Sequence, residues 1–220
     1  MDILKVLVDI LFWFALLWLL TSNYRQYRNS AYFKETGNKY LSSLFDKEVK
    51  SEYLTSKCFI MFRDHHRELY HCRIPRPDGT AVGIDAVVVH ATGIHVFAAM
   101  HQKGRIVGDE NQSSWTAKGD GKSGSGEGSF YNPVMQNEAN IRYLRAYLGD
   151  DAVPVYSYVV FGRKTVLDDV HVSQKNCSVL RRQDLLYSIF SVTEKAEQKL
   201  DAARVDEIYA RLKLLTEERA

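Results

Sequence analysis

The residue with the clearest chemical potential is Asp85, a carboxylate inside the apolar run 84–89. Two short β-branched runs within residues 83–100 flank the turn residues Ala91-Thr92-Gly93, which predicts two buried strands joined by a turn. A carboxylate is costly to bury unless another group pairs with it. Asp85 is therefore either a structural acid that accepts backbone hydrogen bonds or a member of a reactive site.

Other polar residues offer weaker chemistry. His65, His66, His71 and Cys72 are close in sequence, but their spacing matches no standard zinc pattern. The net charge is +2, from 29 basic and 27 acidic residues, which is too balanced to indicate nucleic-acid binding from charge alone. The odd number of cysteines, three, favours a reducing compartment.

Several elements must position Asp85. Apolar residues at helical spacing predict an amphipathic helix over residues 36–54. Short apolar runs predict strands at residues 58–62 and 153–161. Asn132-Pro133 predicts the start of a helix, and Gly149 predicts its end. This alternation predicts an α/β fold, a central mixed sheet flanked by helices.

The last part of the chain, residues 181–218, predicts one or two helices with an apolar stripe. The stripe fits a helix that covers its own domain, and it also fits a coiled-coil face for self-association. Residues 118–129 are rich in glycine and predict a flexible loop.

The N-terminal residues 3–20 are overwhelmingly apolar, and about 20 such residues cross a bilayer. A cleaved signal peptide and a buried core helix are the alternatives. No small-x-small cleavage pattern follows Leu20, and an all-round apolar helix suits lipid. Because Arg25, Arg28 and Lys34 follow the run, we expect a single-pass anchor with the C-terminal domain in the cytoplasm.

These patterns divide the chain into four expected parts. They are a transmembrane anchor (1–22), a basic juxtamembrane stalk (23–35), an α/β domain (36–170) and a C-terminal helical segment (171–220).

Five segments stand in a recognisable order, namely Thr36–Leu44, Ile84–Val89, Gly93–Phe97, Gly104-Arg105-Ile106 with Trp115, and Asn132–Asn137. Together they resemble the NERD (nuclease-related) domain over residues 36–162. That domain is similar to the PD-(D/E)XK nucleases, which cut nucleic acid with Mg²⁺. The resemblance implies a restriction-endonuclease-like core.

The resemblance also implies a site with an Asp, a Glu-x-Lys pair on the next strand, a helix Glu and a later Gln. Here the Asp is Asp85 and the Gln is Gln136, but Ala98 and Met100 stand at the Glu-x-Lys positions and Asn38 at the helix position. The nearest carboxylates that could replace the missing ones are Glu48, Glu52, Asp109 and Glu110.

We therefore expect a membrane-anchored domain with a degenerate nuclease site, which binds nucleic acid or a protein and needs no cofactor. The alternative is an active nuclease in which Asp85 and relocated carboxylates hold Mg²⁺. If the site is inactive, Asp85 is a structural acid, and we expect Asp85→Asn to cost about 1–3 kcal/mol of stability.

Overall fold

The computed structural model of the chain describes residues 2–119 and 128–216. The helices are α1 (Asp2–Asn29), α2 (Ala31–Thr36), α3 (Tyr40–Phe45), α4 (Lys47–Ser56), a 3-10 helix (Lys57–Met61), α5 (Pro133–Leu148), α6 (Arg182–Lys195) and α7 (Ala202–Lys213). The strands are β1 (His66–Pro75), β2 (Ala81–His90), β3 (Gly93–Ala99), β4 (Arg105–Asp109), β5 (Ser114–Lys118), β6 (Gly128–Tyr131), β7 (Val155–Phe161), β8 (Val166–His171) and β9 (Cys177–Arg181).

The strands form two mixed sheets. The central sheet has the order β1-β2-β3-β7-β9, in which β1 to β3 are antiparallel and β7 runs parallel to both β3 and β9. The second sheet has the order β6-β5-β4-β8, and its β4–β8 pair is parallel. The predicted mixed α/β fold is confirmed, as are the two strands joined by a turn within residues 83–100.

Each face of the central sheet has its own apolar core. One core joins α5 and α7 to the sheet, and its members include Val87, Val89, Leu144, Val205 and Ile208. The other is rich in aromatic rings from the N-terminal helices and the sheet, and its members include Tyr27, Tyr32, Phe59, Tyr70 and Phe97. The central sheet is therefore covered on both sides by helices.

The helix predicted over residues 36–54 is divided into α3, α4 and part of α2. Asp46 separates α3 from α4 with extended backbone, and its carboxylate accepts hydrogen bonds from the backbone N–H groups of Glu48 and Val49. An Asp N-cap starts a new helix and so interrupts the apolar periodicity. The strand predicted at residues 58–62 is also wrong, because a 3-10 helix occupies Lys57–Met61.

Part of the expected stalk packs against the folded domain. Helix α1 continues to Asn29, and the side chains of Tyr27 and Tyr32 are fully buried. The Tyr27 hydroxyl donates a hydrogen bond of 2.6 Å to the carbonyl of Asn38. The end of α1 is thereby packed directly against the domain.

The C-terminal part contributes to the central sheet as well as to its cover. Strand β9 pairs with β7, and Val205, Ile208 and Leu212 of α7 are buried against the sheet. The apolar stripe of α7 thus covers its own domain. Most of the loop predicted over 118–129 lies outside the described residues, and its ends belong to β5 and β6.

A chain of hydrogen bonds connects two buried histidines at the β2–β3 turn. The Thr92 hydroxyl lies 2.9 Å from His90 Nδ1 and 2.9 Å from His95 Nε2, and His95 Nδ1 lies 3.2 Å from the Tyr158 hydroxyl. Burial lowers the pKa of His90 and holds the pKa of His95 well below its usual range. Both rings are therefore neutral in the folded protein near neutral pH.

We expect this pair to make the fold acid-sensitive. Unfolded histidine titrates near pH 6.5, so below that pH the unfolded state binds more protons and stability falls. The charge of Asp64 partly opposes the lowering of the His90 pKa, and the charge of His66 adds to it. Urea unfolding from pH 8 to pH 5 measures the effect. The acid sensitivity of stability should weaken in His95→Phe and persist in the exposed control His101→Gln. Equal acid sensitivity in both variants would contradict the role of the histidine pair.

Candidate functional site

Four of the five positions singled out in the sequence line one cavity. Asp85, Ala98, Met100 and Gln136 surround a space of about 300 Å³ between α4 and α5. Asp85 comes from β2, Ala98 from the end of β3, and Gln136 from the first turns of α5. Asn38 does not line this cavity.

Asp85 is held by the neighbouring strand. Its Oδ2 accepts a hydrogen bond of 2.7 Å from the backbone N–H of Ala99. Burial raises the pKa of this carboxyl from 3.8 to about 6, against the effect of that hydrogen bond. The charges of Glu52 and Glu48 contribute to this raised pKa, and the charge of His71 opposes them. Asp85 thus accepts a backbone hydrogen bond, as its interpretation as a structural acid predicts.

Two further carboxylates reach the cavity from α4. Glu48 and Glu52 are four residues apart, a spacing that places side chains on one helical face, and both line the cavity. Glu52 Oε2 accepts a hydrogen bond of 2.8 Å from the Tyr32 hydroxyl and lies 3.3 Å from His71 Nε2. Glu52 is therefore fixed in place by two neighbouring elements.

The helix position assigned to Asn38 from the sequence differs from the structure. Asn38 lies between α2 and α3, and its side-chain amide donates a hydrogen bond of 2.9 Å to the Tyr32 hydroxyl. Because Asp46 starts a separate helix, the acidic residues that share the cavity with Asp85 are Glu48 and Glu52 of α4, which follow Asn38 by ten and fourteen residues. Asn38 is connected to the site through the Tyr32 hydroxyl, which donates to Glu52.

The backbone of β1 has an unusual conformation at His71, beside Asp85. Among the described residues, His71 is the one non-glycine residue with positive φ, at 53°. It stands opposite Asp85 in the β1–β2 pair, between the Tyr70–Ala86 and Cys72–Ile84 partners. A non-glycine residue in this region carries a conformational cost that often marks functional sites. No pattern in the sequence indicates this conformation.

Helix α5 supplies amides that the sequence analysis missed. Asn137 donates a hydrogen bond of 2.8 Å to the Ser157 hydroxyl, and its own Oδ1 is buried without a hydrogen-bond partner. Asn140 donates one of 3.0 Å to the carbonyl of Gly83. Both line the cavity. Two asparagines three residues apart on one helix face were the available signal.

The Glu-x-Lys positions carry no polar side chain. Met100 packs against the apolar cluster that contains Val134, Trp115 and Phe161, and its carbonyl accepts a hydrogen bond of 3.2 Å from Ser51. The lining includes neither lysine nor arginine. The cavity is therefore acidic, and Ala98 and Met100 make part of its wall apolar.

The other two candidate carboxylates lie elsewhere. Glu110 accepts a hydrogen bond of 3.1 Å from the backbone N–H of Ser173, and Asp109 accepts one of 2.8 Å from Asn111. Neither lines the cavity. Within residues 2–119 and 128–216, no group of three or more His, Cys, Asp or Glu side chains is arranged to hold a metal ion. The donors that surround Asp85 thus do not fit a Mg²⁺ site as they stand.

Comparisons with known proteins match the part of the chain that builds this cavity. The family model of the nuclease-related domain (NERD) matches residues 47–162, which begin at α4 and include Glu48, Glu52, Asp85 and Gln136. An uncharacterized protein of Bacillus anthracis is 33% identical over 116 residues, or 53% of this chain and 52% of the relative. The chain thus spans about half the length of that relative. No solved structure matches the chain. The chain belongs to the NERD family.

Proposed function

We propose that this protein is a membrane-anchored NERD module that binds a partner at its nuclease-like cavity without cleaving nucleic acid. The observation that carries the proposal is the presence of Ala98 and Met100 on the cavity wall, where the related nucleases have a Glu-x-Lys pair. The resemblance to the nucleases says which groups are expected at these positions, and the cavity lining shows which groups are present.

The missing groups matter because phosphodiester cleavage builds negative charge on phosphate oxygens. A bound metal or a fixed cation has to stabilise that charge. Mg²⁺ loses its water reluctantly and is held by carboxylates in near-octahedral geometry. Ala98 contributes no ligand, and Met100 contributes no cation that could orient the attacking water.

The charge of the cavity also favours one class of partner. Three carboxylates without a lysine or arginine in the lining repel the phosphates of a nucleic acid. They attract cationic side chains instead. We therefore favour a protein that presents a basic segment over nucleic acid as the partner.

The membrane anchor is helix α1. Residues Lys5–Asn29 are long and apolar enough to cross a bilayer, and the apolar window is fully exposed to the surroundings of the protein. A signal sequence can have the same composition. The basic residues Arg25, Arg28 and Lys34 that follow support an anchor with the domain in the cytoplasm.

A second candidate function is an active nuclease with relocated ligands. It is favoured by Glu48 and Glu52, which share the cavity with Asp85. In that case Mg²⁺ would be the cofactor, and the carboxylates would have to move closer together to bind it. A metal-dependent cleavage assay distinguishes the two candidate functions.

We expect no metal-dependent cleavage of DNA or RNA by the full-length protein with Mg²⁺ or Mn²⁺. The double variant Ala98→Glu/Met100→Lys restores the two missing groups beside Glu48 and Asp85, and it should gain Mg²⁺ binding in calorimetry. Asn38 is left unchanged because it lies outside the cavity.

The matched variants are Glu52→Gln inside the cavity and Glu110→Gln outside it. Cleavage by the parent protein that is abolished by Asp85→Ala and Glu52→Gln, but not by Glu110→Gln, would establish the nuclease alternative. Absence of cleavage together with Mg²⁺ binding by the double variant supports the binding module.

A further inference from the structure

We propose that α3 docks on the bilayer surface beside α1, with Leu41, Leu44 and Phe45 in contact with lipid. We refer to these three residues as the α3 patch. The inference rests on the membrane anchor in the proposed function. It adds a second contact between the domain and the bilayer, and this contact fixes the orientation of the domain.

The α3 patch is an apolar helix face turned away from the protein. Leu41 and Phe45 are 64% and 80% exposed, and Leu44 is also exposed. The three residues follow the spacing i, i+3, i+4 of a single helix face. Ser43 is buried and Tyr40, beside the patch, is half-buried, so this flank of α3 faces the protein. Solvent exposure of so many large apolar side chains on one short helix indicates contact with another surface.

The position of α3 beside α1 identifies that surface. The Tyr40 ring lies 5.6 Å from the ring of Tyr24 and 5.3 Å from that of Tyr27, centroid to centroid. Tyr24 follows the apolar run by four residues, a rise of about 6 Å along a helix. That distance corresponds to the headgroup region, where tyrosine is enriched. A bilayer crossed by α1 therefore lies close to α3.

A further exposed apolar residue, outside the α3 patch, lies near the same end of α1. Ile60, in the 3-10 helix, is 78% exposed, and the neighbouring Lys57 donates a hydrogen bond of 3.3 Å to Gln26 of α1. The α3 patch and Ile60 thus both lie near the end of α1 that leaves the membrane. A bilayer covers both at once.

The charges near the α3 patch suit an anionic lipid surface. The exposed basic residues of this region are Arg25, Arg28, Lys34, Lys39, Lys47, Lys50 and Lys57. The exposed acids of this region are Asp46, whose carboxylate caps α4, and Glu48, which lines the cavity, so basic residues outnumber acidic ones. Basic side chains near a bilayer surface are attracted to anionic headgroups.

The test uses the full-length protein in vesicles of phosphatidylcholine, with and without phosphatidylserine. A fluorophore that reports its environment is attached at Phe45→Cys, Ile60→Cys or Val166→Cys, each in a Cys177→Ser background. Val166 is an exposed residue of the second sheet and serves as the control. Lipids with spin-labelled chains quench a probe that enters the bilayer.

We expect strong quenching at positions 45 and 60, little at 166, and more quenching at 45 when phosphatidylserine is present. Quenching at 45 no greater than at 166, in protein that floats with the vesicles, would overturn the inference and leave the anchor intact. Protein that fails to float would overturn the anchor and the inference together. Probe-to-probe energy transfer at 45 without lipid quenching would assign the α3 patch to a second protein copy and also overturn it.

Discussion

Replacing Asn132 by alanine is expected to lower the free energy of unfolding by about 3 kcal/mol or more. The side-chain carbonyl of Asn132 caps α5, accepting hydrogen bonds of 2.9 and 3.3 Å from the backbone N–H groups of Val134 and Met135. Its amide group donates to the carbonyls of Asp109, Glu110 and Gln112. The residue is fully buried, so alanine removes a hydrogen-bond partner from each of these groups, of which the Asp109 carbonyl keeps a second one, from Trp115 Nε1.

Chemical denaturation of the variants measures this effect. Asn132→Asp keeps the cap but places a carboxylate against the loop carbonyls, so it should also be strongly destabilising. The exposed Asn111→Ala is the matched control, with an expected change below about 0.5 kcal/mol. A loss under about 1 kcal/mol for Asn132→Ala would contradict the role assigned to this side chain.

Asp85→Asn is expected to stabilise the protein at pH 8 by about 1–3 kcal/mol. The pKa of Asp85 is about 6 in the folded protein and 3.8 without the effects of folding. The folded state therefore binds more protons between these values, and the stability cost of the charge grows as pH rises through that window. Above pH 6 the full cost is present. Asparagine can still accept the hydrogen bond from Ala99 without carrying a charge.

Unfolding midpoints at pH 8 and pH 4 test this prediction, and the stabilisation should disappear at the lower pH. Asp151→Asn provides the control, since that side chain is 92% exposed. A clear loss of stability in Asp85→Asn at pH 8 would show that the carboxylate is a net stabilising group. The structure thus predicts the opposite of the loss of about 1–3 kcal/mol expected from the sequence, because burial and, after it, the charges of Glu52 and Glu48 disfavour the ionised carboxylate.

The sequence was sufficient where structure depends on local pattern. The β-branched runs around Ala91-Thr92-Gly93 form β2 and β3, and Asn132-Pro133 and Gly149 mark the two ends of α5. Each of these signals acts between residues close in the chain. The strand predicted at 58–62 failed because a short apolar run fits a buried helix equally well.

Only the tertiary structure decided which groups share the site. Glu48 and Glu52 meet Asp85 because α4 and the central sheet pack together across more than thirty residues of chain, and no local spacing encodes that contact. The positive φ of His71 and the unpartnered oxygen of Asn137 likewise depend on surrounding elements. By itself the sequence determined the apolar helix, since that is a matter of composition, and its resemblance to the NERD domain indicated the missing Glu-x-Lys groups. The folded protein determined the charge of the cavity, because electrostatic energy depends on distance and burial.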